Sequence, residues 1–217
     1  MIVFSHGFGV DKYSRGLFSD IAGLFNEKDT LLFDYNEVNN TDKTITLASL
    51  DKQANTLRQV LDGIDEPINL ICHSQGCLVA ALAKPIGLQS ILFLAPASTT
   101  SSEEFKKLFG ERLTTGKGSE PDRLKRKDGT TTIIDNAYWE SLDAVNNVEE
   151  LYINLASTTF LTIITAGSDE LVKTSFPKLK NKAEIHTMPG ADHNFTGESR
   201  QQLLDIFSRL DSALAKS

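Results

Sequence analysis

This chain has little cysteine, little histidine, no surplus of positive charge and no long apolar run, and each shortage removes a class of protein. Two cysteines in 217 residues, Cys72 and Cys77, are too few for a disulfide scaffold. They flank one short strand-to-helix corner, where pairing would distort the turn, so reduced and packed thiols in a reducing compartment are expected. The four histidines include no pair with metal-ligand spacing, so neither a metal nor another cofactor is expected. Acidic residues outnumber basic ones 29 to 22, and the net charge of −7 argues against a nucleic-acid partner. The longest apolar runs fall far short of the roughly 20 residues that cross a bilayer, so no membrane span is expected. The first residues lack a basic start and a long enough apolar stretch for a signal peptide, which points to a cytoplasmic protein.

With 40% hydrophobic residues, the 217-residue chain reads as one globular domain with a sizeable core. Strand-like runs occur at Ile2 to Ser5, Leu31 to Tyr35, Ile68 to Cys72, Ser90 to Leu94, Leu161 to Ala166 and Ala183 to Met188. Between and after them, apolar residues recur every three or four positions. Leu17, Phe18, Ile21, Leu24 and Phe25 form one stripe; Leu47, Leu50, Ala54, Leu57, Leu61 and Ile64 form a second; Leu203, Ile206, Phe207, Leu210 and Leu214 form a third. Alternating strands and helices predict an α/β fold with a doubly wound, mostly parallel sheet of about six strands.

The most informative stretch is Ile68-Asn69-Leu70-Ile71-Cys72-His73-Ser74-Gln75-Gly76-Cys77-Leu78, an apolar run, a tight polar corner and the start of a helix. A serine on such a corner projects its hydroxyl above the sheet edge, next to the unpaired N–H groups of a helix N-terminus. The pattern G-x-S-x-G is met except at its first glycine, where Cys72 is larger but still compact. Two partners follow in order, each after a strand-like run: Asp169 in Gly167-Ser168-Asp169-Glu170, and His193 in Gly190-Ala191-Asp192-His193. Serine, acid, then histidine is the chain order of one architecture among the serine hydrolases.

On these residues the chain resembles an α/β-hydrolase of the carboxylesterase, lipase and serine-aminopeptidase kind, over nearly its whole length. The resemblance implies Ser74 as nucleophile, Asp169 as orienting acid and His193 as general base. The segment His6-Gly7-Phe8-Gly9 is similar to the oxyanion loop of that family, which implies the backbone N–H groups of Phe8 and Gln75 as oxyanion donors. Family members usually carry two earlier strands, so the resemblance implies a trimmed sheet with an exposed edge, open to a homodimer. Chemically, a base must take the serine proton, a carboxylate must hold the imidazole in one tautomer, and two N–H donors must meet the oxyanion. Asp192, beside His193, is the competing acid, and Asp169 also suits a helix start. A neighbour in sequence seldom reaches round to the imidazole, which favours Asp169. His6 reads as an anchor of its loop, His73 as a packing or hydrogen-bonding group, and His186 as a strand histidine with a partner.

From about Ala97 to Ser157 the connection is too long for a simple crossover and reads as a lid, leaving 1–96 and 158–217 as the core. It carries Phe105, Leu108 and Phe109, then a hairpin signal at Asp128-Gly129, then Tyr138 and Trp139. Those last two aromatics either line an acyl or aryl pocket together with Phe8, or bind the lid to the core. The lid loosely resembles that of cinnamoyl and feruloyl esterases. The basic run Arg123 to Lys127 reads as a solvated hairpin face rather than an anion site. The expectation is a serine hydrolase for a small to medium carboxylic ester, working through an acyl-enzyme. Thioesters, small peptides and a non-catalytic binding role stay open alternatives.

Overall fold

The computed structural model describes residues 1–172 and 175–214, with the backbone alone for 210–214. Its first part runs β1 (Ile2–Ser5), α1 (Leu17–Ala22), β2 (Thr30–Leu32), β3 (Glu37–Asn39), β4 (Thr44–Thr46) and α2 (Leu50–Asp62). Then come β5 (Asn69–His73), α3 (Gln75–Ala83), β6 (Ser90–Leu94), α4 (Ser102–Phe109), β7 (Leu113–Thr114), β8 (Asp122–Lys125) and β9 (Thr131–Ile134). The chain closes with α5 (Asn136–Asp143), α6 (Val148–Ala156), β10 (Leu161–Ala166), β11 (Glu184–Met188) and α7 (Glu198–Leu214).

Six strands form the main sheet in the order β11-β10-β6-β5-β1-β2, with every neighbouring pair parallel. A parallel sheet covered on both faces needs apolar residues on both sides of each strand, which explains the near-continuous runs Leu70-Ile71-Cys72 and Ile91-Leu92-Phe93-Leu94. Val3, Leu70, Cys72, Phe93 and Ile163 pack on one face with Leu57, Leu61, Leu78, Tyr152 and Leu155 of α2, α3 and α6. Phe4, Ile71, Leu94 and Ile164 pack on the other with Leu17, Phe18 and Ile21 of α1 and Leu203 and Phe207 of α7. The side chains of Leu210 and Leu214, expected on the last stripe, lie outside the described residues.

Strand order reverses between β1 and β5, which pair from Ile2↔Asn69 to Ser5↔Cys72. The chain goes outward from β1 to β2, then returns to the other side of β1 for β5, β6, β10 and β11. Loops leaving the carboxyl ends of β1 and β5 therefore part in opposite directions and open a crevice.

A second sheet, β3-β4-β9-β8-β7, was not expected from the sequence. The hairpin β8–β9 turns at Asp128-Gly129 as foreseen; Gly129 has a φ of 87°, and the Asp128 carboxylate accepts from the Thr130 N–H at 2.9 Å. Its free edge is covered by β4, parallel to β9, from a segment well before residue 97. The 97–157 segment is thus stitched to the stretch between β2 and α2. The second main strand is also shorter than expected, Thr30–Leu32 in place of Leu31 to Tyr35, because Tyr35 turns away to donate its hydroxyl to the His6 carbonyl.

Candidate active site

Ser74 joins β5 to α3 with φ 55° and ψ −122°, a region that side chains rarely occupy. Its N–H donates to the Leu94 carbonyl at 2.9 Å and its carbonyl accepts from the Cys77 N–H at 3.1 Å, so both neighbours pin the turn. Gly76 is required here: a Cβ at that position would fall 2.1 Å from the Ser5 carbonyl oxygen. Cys72 is tolerated in place of glycine because its side chain points into the core, where it is fully buried. Both cysteines are free thiols, and burial pushes each well above the usual thiol range.

The loop after β10 carries Asp169 and the loop after β11 carries His193. They are tied at the root: the Gly167 N–H donates to the Met188 carbonyl at 2.9 Å and the Ser168 N–H to the Ala191 carbonyl at 2.8 Å. A Cβ on Gly167 would stand 2.8 Å from the Met188 oxygen, so this approach needs glycine.

These loops bring three side chains into one line. His193 Nε2 lies 2.9 Å from Ser74 Oγ, and His193 Nδ1 lies 2.7 Å from Asp169 Oδ2. Burial alone would raise the Asp169 carboxyl, but the His193 hydrogen bond and charge, with the Val172 and Leu171 N–H groups, hold it below the usual carboxylate range. An ionised Asp169 only accepts, so Nδ1 carries the proton and Nε2 is left to accept from the Ser74 hydroxyl. Asp192 instead turns to Thr196, accepting from its N–H at 2.8 Å and its hydroxyl at 2.6 Å. Of the two candidate acids, Asp169 is the one in contact with the imidazole.

The remaining histidines are framework. His73 Nε2 donates to the His193 carbonyl at 2.8 Å, and burial together with the adjacent His193 lowers it to about 3, so it stays neutral. His6 stacks on Tyr35 at 4.0 Å and donates from Nδ1 to the Gly7 carbonyl, with burial lowering its pKa. His186 is exposed and pairs with Glu184 at 2.8 Å.

Beside the elbow, a Cβ on Gly7 would lie 3.2 Å from Ser74 Cβ, so the loop after β1 passes directly against the serine. Among the described residues no acceptor takes the N–H of Phe8 or Gln75. A cavity of about 660 Å³ opens over Ser74 and His193. Phe8, Phe105, Leu108 and Phe109 line one side, with the Phe8 and Phe109 rings stacked 5.4 Å apart; Leu17, Phe18, Leu171 and Val172 line another.

Two sequence expectations need correction. Tyr138 and Trp139 do not line this cavity. Tyr138 is fully buried and donates to Gln75 Oε1 at 2.5 Å, while the Trp139 indole donates to Asp122 Oδ2 at 2.9 Å. Tyr138 ties α5 to α3 through Gln75, Trp139 braces α5 against β8 through Asp122, and Phe105 and Phe109 provide the aromatic wall instead. The basic run is also not wholly solvated. Arg123, Lys125 and Lys127 are exposed, but Arg126 turns inward to the cavity rim. Burial, with Arg15 nearby, lowers Arg126 to about 10, which leaves it charged at neutral pH. The nearest signal in the sequence was its place at the hairpin corner, where strand alternation stops.

The family profile for serine hydrolases matches residues 30–118, which include the elbow. The structure is similar to the ferulic acid complex of Est1E from Butyrivibrio proteoclasticus, with a TM-score of 0.71 and 19% identity over 100% of this chain and 89% of that one. The chain has the α/β-hydrolase fold. Polyneuridine aldehyde esterase shares this α/β-hydrolase architecture at a TM-score of 0.66 and 13% identity, over 97% of this chain and 98% of its own. A monoacylglycerol lipase from Paleococcus ferrophilus does so at 0.61 and 15%, over 96% and 93%. A search of curated proteins matched none to this chain. The match to the serine hydrolase profile supports a hydrolase. Among the described residues no helix is long and apolar enough to cross a membrane.

Proposed function

We propose that this protein is a serine hydrolase that cleaves a small to medium carboxylic ester in two steps. The observation that carries the reading is the continuous line Ser74 Oγ, His193, Asp169, with links of 2.9 and 2.7 Å, at the floor of an apolar cavity. Ser74 attacks the ester carbonyl while His193 Nε2 takes the hydroxyl proton, and Asp169 stabilises the imidazolium that forms. The N–H groups of Phe8 and Gln75 receive the oxyanion; one such donor typically contributes about 3 kcal/mol to the transition state. His193 returns its proton to the leaving alcohol, and water repeats the attack on the acyl-enzyme.

An ester is favoured by the apolar, aromatic walls and by neighbours described as esterases and a lipase. The cavity suits an acyl or aryl group of modest size lying against Phe8, Phe105 and Phe109. The test has two parts. A fluorophosphonate probe should label the wild type and not Ser74→Ala, and a panel of nitrophenyl, naphthyl and hydroxycinnamoyl esters should reveal turnover. Wild-type protein that resists the probe and leaves every ester intact would refute the assignment.

A further inference from the structure

Both proposed oxyanion donors are held from behind by side chains of the inserted segment. Arg126, at the end of β8, donates from Nη2 to the Phe8 carbonyl at 2.7 Å and from Nε to Thr132 Oγ1 at 3.0 Å. Thr132, on β9, donates in turn to the Gly9 carbonyl at 3.0 Å. The Arg126 guanidinium also lies 5.3 Å over the Phe8 ring, whose other contacts are Phe105, Phe109 and Tyr138. On the second donor, the Tyr138 hydroxyl meets Gln75 Oε1, and Gln75 Nε2 donates to Gln53 Oε1 at 2.9 Å.

A peptide N–H points where the flanking peptide planes let it, and the loop after β1 lies outside every strand and helix. Its positive-φ Gly9 gives the chain freedom to turn, so something must fix the planes on either side of Phe8. On the near side His6 Nδ1 holds the Gly7 carbonyl, which shares its plane with the Phe8 N–H, and Tyr35 holds the carbonyl of His6; on the far side Arg126 and Thr132 hold the carbonyls of Phe8 and Gly9. Charge-assisted donation from the half-buried Arg126 guanidinium is the strongest of these ties.

We propose that Arg126, with Thr132, is a positioning residue that aims the Phe8 N–H at the oxyanion, making the β8–β9 hairpin part of the catalytic framework. This rests on the serine-hydrolase reading above. Arg126 acts through the Phe8 carbonyl and touches no reacting atom.

The test compares wild type, Arg126→Gln and Thr132→Val on whichever nitrophenyl ester the wild type cleaves fastest, with a matching trifluoromethyl ketone as tetrahedral analogue. Arg126→Gln should lower kcat by about 10- to 100-fold with KM changed less than threefold, the size of effect that a small misplacement produces. Its affinity for the ketone should fall by a similar factor. Thr132→Val should show the same signature on a smaller scale, and it decides the matter if Arg126→Gln does not fold. A raised KM with kcat intact would make Arg126 a substrate contact and overturn the proposal, as would unchanged kcat in both variants. Failure of the underlying reading looks different, because the wild type itself would then neither label nor turn over.

Discussion

Replacing Ser74 by glycine should leave a more stable protein than replacing it by alanine. Either variant loses the 2.9 Å contact with His193, so that term cancels between them. What differs is the backbone. At φ 55° and ψ −122° a residue with a Cβ is strained by about 1–3 kcal/mol. For glycine the same angles mirror an ordinary extended conformation and carry no such strain. Taking about 2 kcal/mol as the relief, glycine gives back about 0.7 kcal/mol through its freer unfolded chain. Loss of one half-buried methyl takes about 0.4 kcal/mol more. About 1 kcal/mol remains in favour of Ser74→Gly, which for a chain of this size raises Tm by about 2–4 °C. Urea and thermal unfolding of the two inactive variants side by side would measure it. An alanine variant as stable as the glycine one, or more so, would mean that the elbow stores no strain.

Asp169→Asn should lose about 10⁴-fold in kcat, because the amide no longer fixes the His193 tautomer, whereas Asp192→Asn should stay within a fewfold of wild type. Steady-state kinetics on a nitrophenyl ester would check both, and reversed effects would transfer the acid role to Asp192. Stability should also fall between pH 6.5 and pH 5. His73 is held at about 3 in the folded state, so the unfolded chain binds a proton there that the native one refuses. From that residue alone the loss is about 2 kcal/mol over the interval. The lowered His6 acts in the same direction. Asp169, lowered from 3.8, contributes stability that disappears only as the pH falls below that value, outside this window. Urea midpoints at the two pH values test the sign; equal midpoints would contradict it.

The main sheet and the trio of Ser74, Asp169 and His193 were legible because each signal is local. Buried parallel strands must be apolar throughout, a strand-to-helix corner needs small residues, and loops at strand ends carry the polar groups. The choice between Asp169 and Asp192 followed from reach along the chain, and the contact at His193 Nδ1 agrees. What escaped depends on long-range pairing. Strands β3, β4 and β7 are two or three residues long, too short for a period-two pattern, and β4 exists because β9 lies beside it. Tyr138 and Phe105 look alike as apolar helix residues; only the tertiary fold turns one toward Gln75 and the other toward the cavity. Arg126 is one cation in a run of four until the hairpin corner rotates it inward.

The knot at Gly167, where the loops after β10 and β11 are laced together, has a consequence for redesign. Asp169 and His193 descend from adjacent strands and are braced against each other, with no atom of residues 97–157 in the lacing. Exchanging residues 110–135 for a foreign hairpin, with α6 kept because its Tyr152 and Leu155 pack under the main sheet, would leave imidazole and carboxylate aligned. The transplant would need its own cation to grip the chain beside Phe8.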